Sequence, residues 1–251
     1  MLIQQRRGEI LNLISQQQKV TVNELTSLLN VSSMTIWRDL KELEKDGKLQ
    51  RVHGGALKNN YELNFNAKQS MYSKEKEKIA KYVARNFIQE GETITLEGGT
   101  TVSYLVPFLN VNNLTLLTNS LYVLNLTSEY LPNINLLSCG GILRENSNTF
   151  VGPEAEKFFL DFYSDKFFLS ASGLTNNGIT DPNPLEIQVK KSMAKNAKKC
   201  FLLIDSSKLY NYSLSPSLPL EEIDAIITDK KFPQHLLNSL KKYNLEIFVA
   251  N

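Results

Sequence analysis

The chain has 251 residues, of which 42% are hydrophobic and 22% are charged, and its formal net charge at pH 7 is +2. This composition is typical of a globular protein, and the length allows a small module beside a larger core-forming domain. The near-neutral charge excludes a uniformly basic nucleic-acid-binding protein, so any affinity for DNA must come from locally placed charges.

Residues 19–57 predict two short helices that are joined by a tight turn and followed by a small basic hairpin. Thr21 and Glu24 have the spacing of a capping box at the start of the first helix. Ser32 is placed to cap the second helix, and Gly47 is placed to end it. Apolar residues at helical spacing form the inward stripe of the second helix, namely Ile36, Leu40 and Leu43.

The opposite face of the second helix carries basic side chains. Because successive helical residues are about 100° apart, Arg38 and Lys41 fall opposite the apolar stripe. Cations on such a face, with hydroxyl groups near the helix N-terminus, suit phosphate contacts and base-edge readout in the major groove. The alternative is a solvated basic face on an ordinary helical domain. The residues expected to contact DNA are Ser32, Ser33, Thr35, Trp37, Arg38, Lys41, Arg51 and His53.

Residues 58–72 are polar, rich in asparagine and without hydrophobic periodicity, and they are predicted to form a linker. The linker would separate a winged helix-turn-helix domain at residues 1–57 from a second domain at residues 73–251. The second domain begins with a charged helix, whose charge run is expected to be a solvated face.

Short apolar runs with β-branched residues alternate with helix-compatible segments through the second domain. Strands that alternate with helices predict an α/β fold with a mostly parallel, Rossmann-like sheet covered on both faces. The predicted strands are residues 93–96, 114–118, 134–139, 166–171, 200–204, 225–228 and 246–249.

Polar residues follow several of these strands at their carboxyl ends, where α/β sheets bind ligands. Glycines let a phosphate approach the backbone, hydroxyl and ammonium groups can hold it, and a carboxylate can accept hydrogen bonds from ligand hydroxyls. Each segment alone is also ordinary turn chemistry, but together they predict a pocket for a phosphorylated polyol. The residues expected to bind it are Gly98, Gly99, Thr100, Thr101, Asn119, Ser120, Gly140, Gly141, Asp205 and Lys208.

Lys190 is a further candidate for this pocket, and two interpretations of it stay open. It follows Glu186 by four residues on a predicted helix that begins near Pro184. The two side chains could form an ion pair on the helix surface. Alternatively, Lys190 turns toward the phosphate group of the ligand.

The remaining composition limits the chemistry and the compartment. Cys139 and Cys200 adjoin apolar runs and are expected to be buried thiols rather than a disulfide. No cysteine–histidine cluster has zinc-site spacing, so neither a metal nor a cofactor is predicted. No apolar run approaches the roughly 20 residues that span a membrane, and the first residues lack the apolar region of a signal peptide. We therefore expect a cytoplasmic protein with no membrane partner.

Three motifs in the N-terminal segment are Arg6-Arg7-x-x-Ile10, Val31-Ser32-x-x-Thr35-Ile36-x-Arg38-Asp39-Leu40 and Arg51-x-His53-Gly54-Gly55-Ala56. They resemble the winged helix-turn-helix of the DeoR family of bacterial transcription regulators. The family usually has two consecutive arginines before the aspartate, and Trp37 replaces the first of them. Its indole could contact a sugar or a thymine methyl group, or it could pack on the wing.

The second domain carries a matching series of segments: Gly99-Thr100-Thr101, Thr118-Asn119-Ser120, Gly140-Gly141, Val151-Gly152, Gly178-Ile179-Thr180-Asp181, Glu186-x-x-x-Lys190 and Asp205-Ser206-Ser207-Lys208. This series resembles the DeoR sensor domain, which shares its fold with ribose-5-phosphate isomerase. The resemblance implies a repressor of a sugar uptake or catabolism operon, which a phosphorylated sugar or sugar alcohol releases from its double-stranded DNA operator. Glu97-Gly98 and Leu169-Ser170 depart from the usual family residues, so the resemblance leaves the identity of the ligand open.

Two other functions compete with this interpretation. A sugar-phosphate isomerase would need a positioned carboxylate and a glycine-rich loop, but the comparable residues 170–174 contain no carboxylate, so we expect no enzyme. A DNA-binding protein with a degenerate sensor would be indifferent to every sugar phosphate. In either binding role, a homo-oligomer, dimer or tetramer, is expected through the second domain, because one small module with modest charge has weak specificity alone.

Overall fold

The computed structural model describes residues 3–17, 19–58, 62–131 and 134–251. The N-terminal elements are α1 (Ile3–Gln17), β1 (Lys19–Thr21), α2 (Val22–Leu29), α3 (Ser33–Lys45), β2 (Leu49–Val52) and β3 (Gly55–Lys58). The three strands form an antiparallel sheet in the order β1-β3-β2. With the three helices this sheet makes a winged helix whose apolar side chains form one buried cluster.

Local capping explains where the helices of this winged helix begin and end. The Thr21 hydroxyl accepts the Glu24 amide at 3.2 Å, and the Glu24 carboxylate accepts the Thr21 amide at 2.8 Å, which completes the predicted capping box. The Ser32 hydroxyl accepts the Thr35 amide at 3.3 Å and caps α3. Gly47, at φ +68°, follows α3 as predicted. The predicted stripe of Ile36, Leu40 and Leu43 is buried.

The predicted linker at residues 58–72 contains a short helix, α4 (Phe65–Ser70), which the absence of hydrophobic periodicity did not predict. The Asn64 carboxamide accepts the Ala67 amide at 2.9 Å and caps this helix. Phe65 is buried, and its ring centroid lies 4.9 Å from that of Tyr122. The connecting segment is therefore packed on the rest of the protein. Residues 59–61 of the predicted linker lie outside the described residues.

The remaining elements follow α4 and alternate between strands and helices. The helices are α5 (Ser73–Phe87), α6 (Thr100–Ser103), α7 (Leu121–Tyr130), α8 (Pro153–Leu160), α9 (Pro184–Lys195) and α10 (Gln234–Leu240), with 3₁₀ turns at Val106–Phe108, Ser206–Lys208 and Leu220–Glu222. The strands are β4 (Thr93–Leu96), β5 (Thr115–Thr118), β6 (Asn135–Ser138), β7 (Ile142–Arg144), β8 (Thr149–Val151), β9 (Lys166–Leu169), β10 (Gly173–Thr175), β11 (Gly178–Asp181), β12 (Cys200–Leu203), β13 (Ser215–Pro216), β14 (Ala225–Thr228) and β15 (Glu246–Val249).

The main sheet contains all the strands that the sequence predicted. Its order is β15-β14-β12-β9-β4-β5-β6, and its neighbouring strands pair in parallel. The α/β fold with a parallel, Rossmann-like sheet is thereby confirmed. The strand order reverses between β4 and β9, and such a reversal opens a crevice at the carboxyl ends of the two strands.

Helices cover both faces of this sheet. Along β9, Phe167 and Leu169 join one hydrophobic cluster, while Phe168 between them joins the other. The first cluster includes residues of α8, α9 and α10, and the second includes residues of α5, α6 and α7. This two-sided burial explains why the strands are continuous apolar runs without a polar face.

Two small antiparallel groups of strands were not predicted. A hairpin joins β7 to β8, and a separate sheet has the order β10-β11-β13. Both consist of strands of two to four residues, which are too short to show a hydrophobic period. The hairpin and the small sheet add walls beside the crevice at the strand ends.

The winged helix is docked on the segment that follows β12. A Cβ added to Gly8 would lie 2.9 Å from Cγ of Tyr210, so α1 packs closely on that ring. The Lys48 ammonium donates to the Ser207 carbonyl at 2.5 Å. Both contacts fall on residues 205–212, called here the docking segment.

Candidate functional site

The exposed face of α3 is the candidate DNA interface. Arg38 and Lys41 are exposed there, together with Met34 and Lys45, whereas Ile36 on the opposite face is fully buried. The predicted division of the helix into an inward stripe and an exposed basic face is therefore confirmed. Contact between this face and DNA stays a prediction.

The N-terminal end of α3 presents hydroxyl groups. Ser32 and Ser33 are exposed, and Thr35 is half-buried, with its hydroxyl 3.0 Å from that of Ser32. Trp37 is half-buried and packs against the apolar cluster of the winged helix. Packing thus covers part of the indole surface. Contact between the exposed part and DNA stays a prediction.

The hairpin carries the other two residues that were predicted to contact DNA. His53 is exposed in the turn between β2 and β3. Arg51 forms an ion pair with Glu44 at 2.6 Å, and the hydrogen bond from its side chain lowers the pKa of that carboxyl. To bind a phosphate, Arg51 would have to share its donors with Glu44 or release it.

Arg6 and Arg7 of α1 have a structural role that the sequence motif did not reveal. Asp39 of α3 is buried, and its two carboxylate oxygens accept Nε of Arg6 at 2.6 Å and Nε of Arg7 at 2.9 Å. This cluster ties α1 to the inner side of α3. Asp39 therefore positions α3 from the buried side of the helix.

A small cavity of about 60 Å³ lies at the crevice where the strand order reverses. It is lined by five of the residues predicted to bind the effector: Gly98, Gly99, Thr100, Asn119 and Lys208. The Asn119 carboxamide accepts the Gly98 amide at 3.1 Å and so holds the loop after β4. The Thr100 hydroxyl and the Lys208 ammonium make no hydrogen bond or ion pair with any residue that the structure describes. We call this space the strand-end cavity.

A buried ionic cluster forms one wall of the strand-end cavity. The Lys190 ammonium lies 2.5 Å from Asp181 and 3.5 Å from Glu97, and it donates to the Ser170 carbonyl at 2.7 Å. Burial lowers the pKa of Lys190, but Asp181 and Glu97 outweigh burial and raise it above its usual value. Burial raises the pKa of Glu97, although Lys190 opposes this effect.

The position of Lys190 bears on the two interpretations that the sequence left open. Its side chain is only 2% exposed, and its ammonium faces Asp181 and Glu97, not a helix-surface partner. Glu186 instead pairs with Arg144 at 3.0 Å. The ligand-binding role of Lys190 stays a prediction, but two carboxylates already neutralise its charge.

Four other predicted effector residues do not line this cavity. Thr101 and Ser120 are buried, and the Ser120 hydroxyl caps α7 by accepting the Val123 amide at 3.2 Å. Gly140 and Gly141 are exposed, and a Cβ on Gly141 would lie 2.7 Å from the Val151 carbonyl. That glycine is therefore explained by the close approach of β8. A phosphate contact by any of the four stays a prediction.

A larger cavity of about 510 Å³ lies between the winged helix and the sheet-containing part. Asp205, the remaining predicted residue, lines it, and Lys208 lines both cavities. Asp205 Oδ2 and Asn211 Oδ1 are buried acceptors without a partner in the described part of the chain. Buried acceptors normally have donors, but no residue of the described part of the chain donates to these two oxygens.

The connecting segment contributes site residues that sequence reasoning missed. Phe65 and Lys68 of α4 line the strand-end cavity. Glu62 pairs with Lys68 at 3.1 Å and with Arg144, which fixes the segment over the cavity. Asn64, which caps this helix, is a local sequence signal for its start. The docking of the helix depends on residues far apart in the sequence, so local patterns did not predict it.

The cysteines and the potential metal ligands are side chains that could form a further centre among the described residues. Cys139 and Cys200 are buried and unpaired as predicted, and burial raises the pKa of each thiol to about 12. Within the described ranges, no three His, Cys, Asp or Glu side chains are grouped as a metal site would require. In the same ranges, no helix is both long and apolar enough to cross a membrane.

Comparison with known proteins identifies the family. The model of the DeoR C terminal sensor domain matches residues 71–230, and the model of the DeoR-like helix-turn-helix domain matches residues 6–62. The chain belongs to the DeoR family of transcription regulators. The earlier resemblance is thereby confirmed for both halves.

Full-length relatives agree with this assignment. The chain is 32% identical to the regulator YulB of Bacillus subtilis, with 98% of this chain and 96% of that protein covered. It is 34% identical to the regulator GolR of Listeria innocua, with 98% of each chain covered. It is also 34% identical to the lactose phosphotransferase system repressor of Staphylococcus epidermidis, with 89% and 91% covered. Ribose 5-phosphate isomerase A of Methanocaldococcus jannaschii superposes on 53% of the chain, and 53% of the isomerase, with 19% identity and a TM-score of 0.38.

These matches decide between a transcription regulator and a sugar-phosphate isomerase. The protein is a DNA-binding transcription regulator. The isomerase alternative is set aside because the proteins that resemble this chain over nearly its whole length are regulators. A regulator with a degenerate sensor remains a distinct alternative.

Proposed function

We propose that this regulator represses an operon for the uptake or catabolism of a sugar or sugar alcohol, and that the phosphorylated compound releases it from DNA. One observation carries the proposal: the unpaired Lys208 ammonium and Thr100 hydroxyl line the strand-end cavity, and Asp205, whose buried Oδ2 has no donor in the described part of the chain, lines the adjoining interdomain cavity. Ammonium and hydroxyl donors suit a phosphate, and the carboxylate oxygen suits a ligand hydroxyl. Relatives named as lactose and aga operon repressors agree with a sugar as the signal.

The docking segment supplies a route from the ligand to DNA. Residues 205–212 carry Asp205 and Lys208, and they also hold the winged helix through Ser207 and Tyr210. A ligand that engages Lys208 acts on the same short segment that fixes the DNA-binding domain. We propose that this engagement favours an arrangement in which the two recognition helices of an oligomer no longer match their half-sites.

The division of labour follows the predicted boundaries. We propose that residues 1–57 bind the double-stranded operator and that residues 73–251 bind the effector and form the dimer or tetramer. Two copies on half-sites about one helical turn apart would multiply the modest affinity of a single winged helix. A cytoplasmic location follows from this role.

The effector proposal is tested first with purified protein and a panel of sugar and polyol phosphates, each beside its unphosphorylated parent. A ligand at about a hundred times its dissociation constant adds roughly 2.7 kcal/mol of stability, which a thermal-shift assay detects. We expect stabilisation only by phosphorylated compounds. No stabilisation across a broad panel would favour the degenerate-sensor alternative.

The site is tested with the double variant Thr100→Ala, Lys208→Ala in an operator-release assay. We expect operator affinity to be unchanged and release by the identified effector to be lost, because both unpaired donors of the strand-end cavity are removed. Lys231→Ala, an exposed lysine of the same domain, is the matched control and should respond like wild type. Release of the double variant at the wild-type effector concentration would place the binding site elsewhere.

The DNA interface is tested with Arg38→Ala. A base-edge or phosphate contact by this guanidinium predicts a loss of operator affinity of about tenfold or more, with unchanged folding and effector binding. Arg85→Ala removes another exposed arginine, which lies on α5, and should leave operator affinity intact. Normal operator binding by the Arg38 variant would contradict the assignment of α3 as the recognition helix.

A further inference from the structure

The interdomain cavity is lined by four lysines from four separate segments of the chain. Lys48 comes from the winged helix, Lys68 and Lys76 come from α4 and α5, and Lys208 comes from the docking segment. The cavity shares Lys68, Ser172 and Lys208 with the strand-end cavity, so the two spaces adjoin. Its volume of about 510 Å³ is within the range of small-molecule sites.

The ammonium groups of these lysines are only partly satisfied by the protein. Lys48 donates to the Ser207 carbonyl, and Lys76 donates to the Lys68 carbonyl. A carbonyl carries no full charge, and an ammonium group has three donors, of which each of these bonds uses one. Among the ion pairs of the described residues, a carboxylate lies within 4.0 Å of Lys68 but of none of the other three.

The charges around Lys48 come from three elements. Asp46 precedes it in the winged helix, Arg7 faces it from α1, and Asp205 and Lys208 face it from the docking segment. Burial is the main cause that lowers the pKa of Lys48 to about 8, and Lys208 adds to this effect.

Lys76 lies in a similar environment. Burial lowers the pKa of Lys76 to about 8, and the neighbouring Lys208 and Lys68 act in the same direction, against Asp205 and Glu75. The cavity thus brings four lysines together with the carboxylates of Asp46, Glu62 and Asp205, and only Lys68 forms a direct ion pair among the described residues. A buried cation without a direct ion pair is stabilised by an added anion.

We infer that the interdomain cavity is a second anion-binding site, and that Lys48 of the DNA-binding domain is one of its ligands together with Lys76 and Lys208. The inference rests on the proposed effector function and deepens it. The strand-end cavity would hold one phosphate, while the interdomain cavity would hold a second anionic group of the same ligand or a separate anion. The DNA-binding domain would then contact the ligand directly, through Lys48. Ligand binding would therefore change the position of this domain without acting through the docking segment.

Sulfate is a suitable probe for this site, because it resembles phosphate and keeps its charge between pH 6 and pH 9. Its binding is followed by thermal unfolding of the full-length protein without DNA, at constant ionic strength maintained with chloride. Lys48 lines only the interdomain cavity and Thr100 lines only the strand-end cavity. Lys48→Gln and Thr100→Ala therefore address the two sites separately.

We expect Lys48→Gln to weaken sulfate binding by about tenfold or more, as the loss of one charged hydrogen bond predicts. Lys48→Arg should keep the affinity, because the guanidinium keeps the charge and the donors. Lys45→Gln removes an exposed lysine of the same domain and should match wild type. Wild-type affinity should fall as the pH rises through about 8, where Lys48 and Lys76 lose their protons, and Lys48→Arg should reduce this fall.

Three results would overturn the inference. Sulfate binding by Lys48→Gln that equals wild type removes Lys48 from the site, and complete loss of binding in Thr100→Ala leaves only the strand-end cavity. Absence of any sulfate binding to wild type removes the anion site altogether. None of these results touches the proposed function, because the sugar-phosphate panel and operator release decide that separately.

Discussion

Replacing Lys190 with methionine tests how the buried cluster beside the strand-end cavity is held together. The variant removes an ammonium that lies 3.5 Å from Glu97 and 2.5 Å from Asp181, on a side chain that is 2% exposed. At an effective dielectric constant of about 20, an ion pair at the longer of these distances contributes roughly 5 kcal/mol before desolvation. Burial of the ammonium offsets much of this attraction, so we expect a net loss of about 3–5 kcal/mol of unfolding free energy.

The pH dependence of this loss follows from the two carboxylates that remain. Without Lys190, the opposing influence on the pKa of Glu97 is gone, so that pKa rises further above its usual value. A carboxyl group whose pKa is raised in the folded state destabilises the fold as the pH rises through that pKa. The variant should therefore regain stability relative to wild type as the pH is lowered from 7 to 5.

Denaturant unfolding at pH 7 and pH 5 measures both effects. Lys191→Met, the exposed neighbour on α9, is the control and should change stability by less than about 0.5 kcal/mol. Adding Glu97→Gln to Lys190→Met should recover part of the loss at pH 7, since one unpaired charge is removed. A loss below about 1 kcal/mol, or one that does not depend on pH, would refute this account of the cluster.

Three further substitutions test the winged helix. Asp39→Ala leaves two guanidinium groups without their carboxylate and should cost about 3–5 kcal/mol in denaturant unfolding; a neutral result would contradict its role in fixing α1. Thr21→Ala removes the capping box and should cost about 1 kcal/mol in the same assay, whereas an unchanged midpoint would show that the cap is dispensable. Glu44→Ala frees Arg51 and should strengthen DNA binding. The slope of log affinity against log salt concentration should become more negative by about one. Unchanged binding would argue against a phosphate contact by Arg51.

The main sheet and helix α3 were predictable because their sequence signals are local. Each strand of the main sheet is buried on both faces and so is a continuous apolar run, such as residues 166–169. The capping box at Thr21 and Glu24 and the stripe that begins at Ile36 are spacings of three or four residues. Such short spacings reflect the regular geometry of the helix and strand backbone. The tertiary contacts of the folded protein agree with these local preferences.

The composition of the site was predictable only in part, because its contacts join distant positions. Gly98, Thr100 and Lys208 were found because parallel strands bring their carboxyl ends to one edge. Lys68 belongs to a segment without a hydrophobic pattern, and its place at the cavity depends on Glu62, Arg144 and the burial of Phe65. No spacing in the sequence encodes those contacts.

Lys190 and Lys208 show why residue type alone could not assign the ligand contacts. Both are lysines close to the carboxyl ends of the sheet, and sequence analysis named each as a candidate for a phosphate contact. Lys190 faces Asp181 and Glu97, so an added phosphate would bring a third negative charge to a cluster that already has two. Lys208 has no ion pair in the described part of the chain, and burial lowers its pKa. A phosphate would supply the missing counter-charge at Lys208 and repulsion at Lys190, so the phosphate-binding lysine should be Lys208.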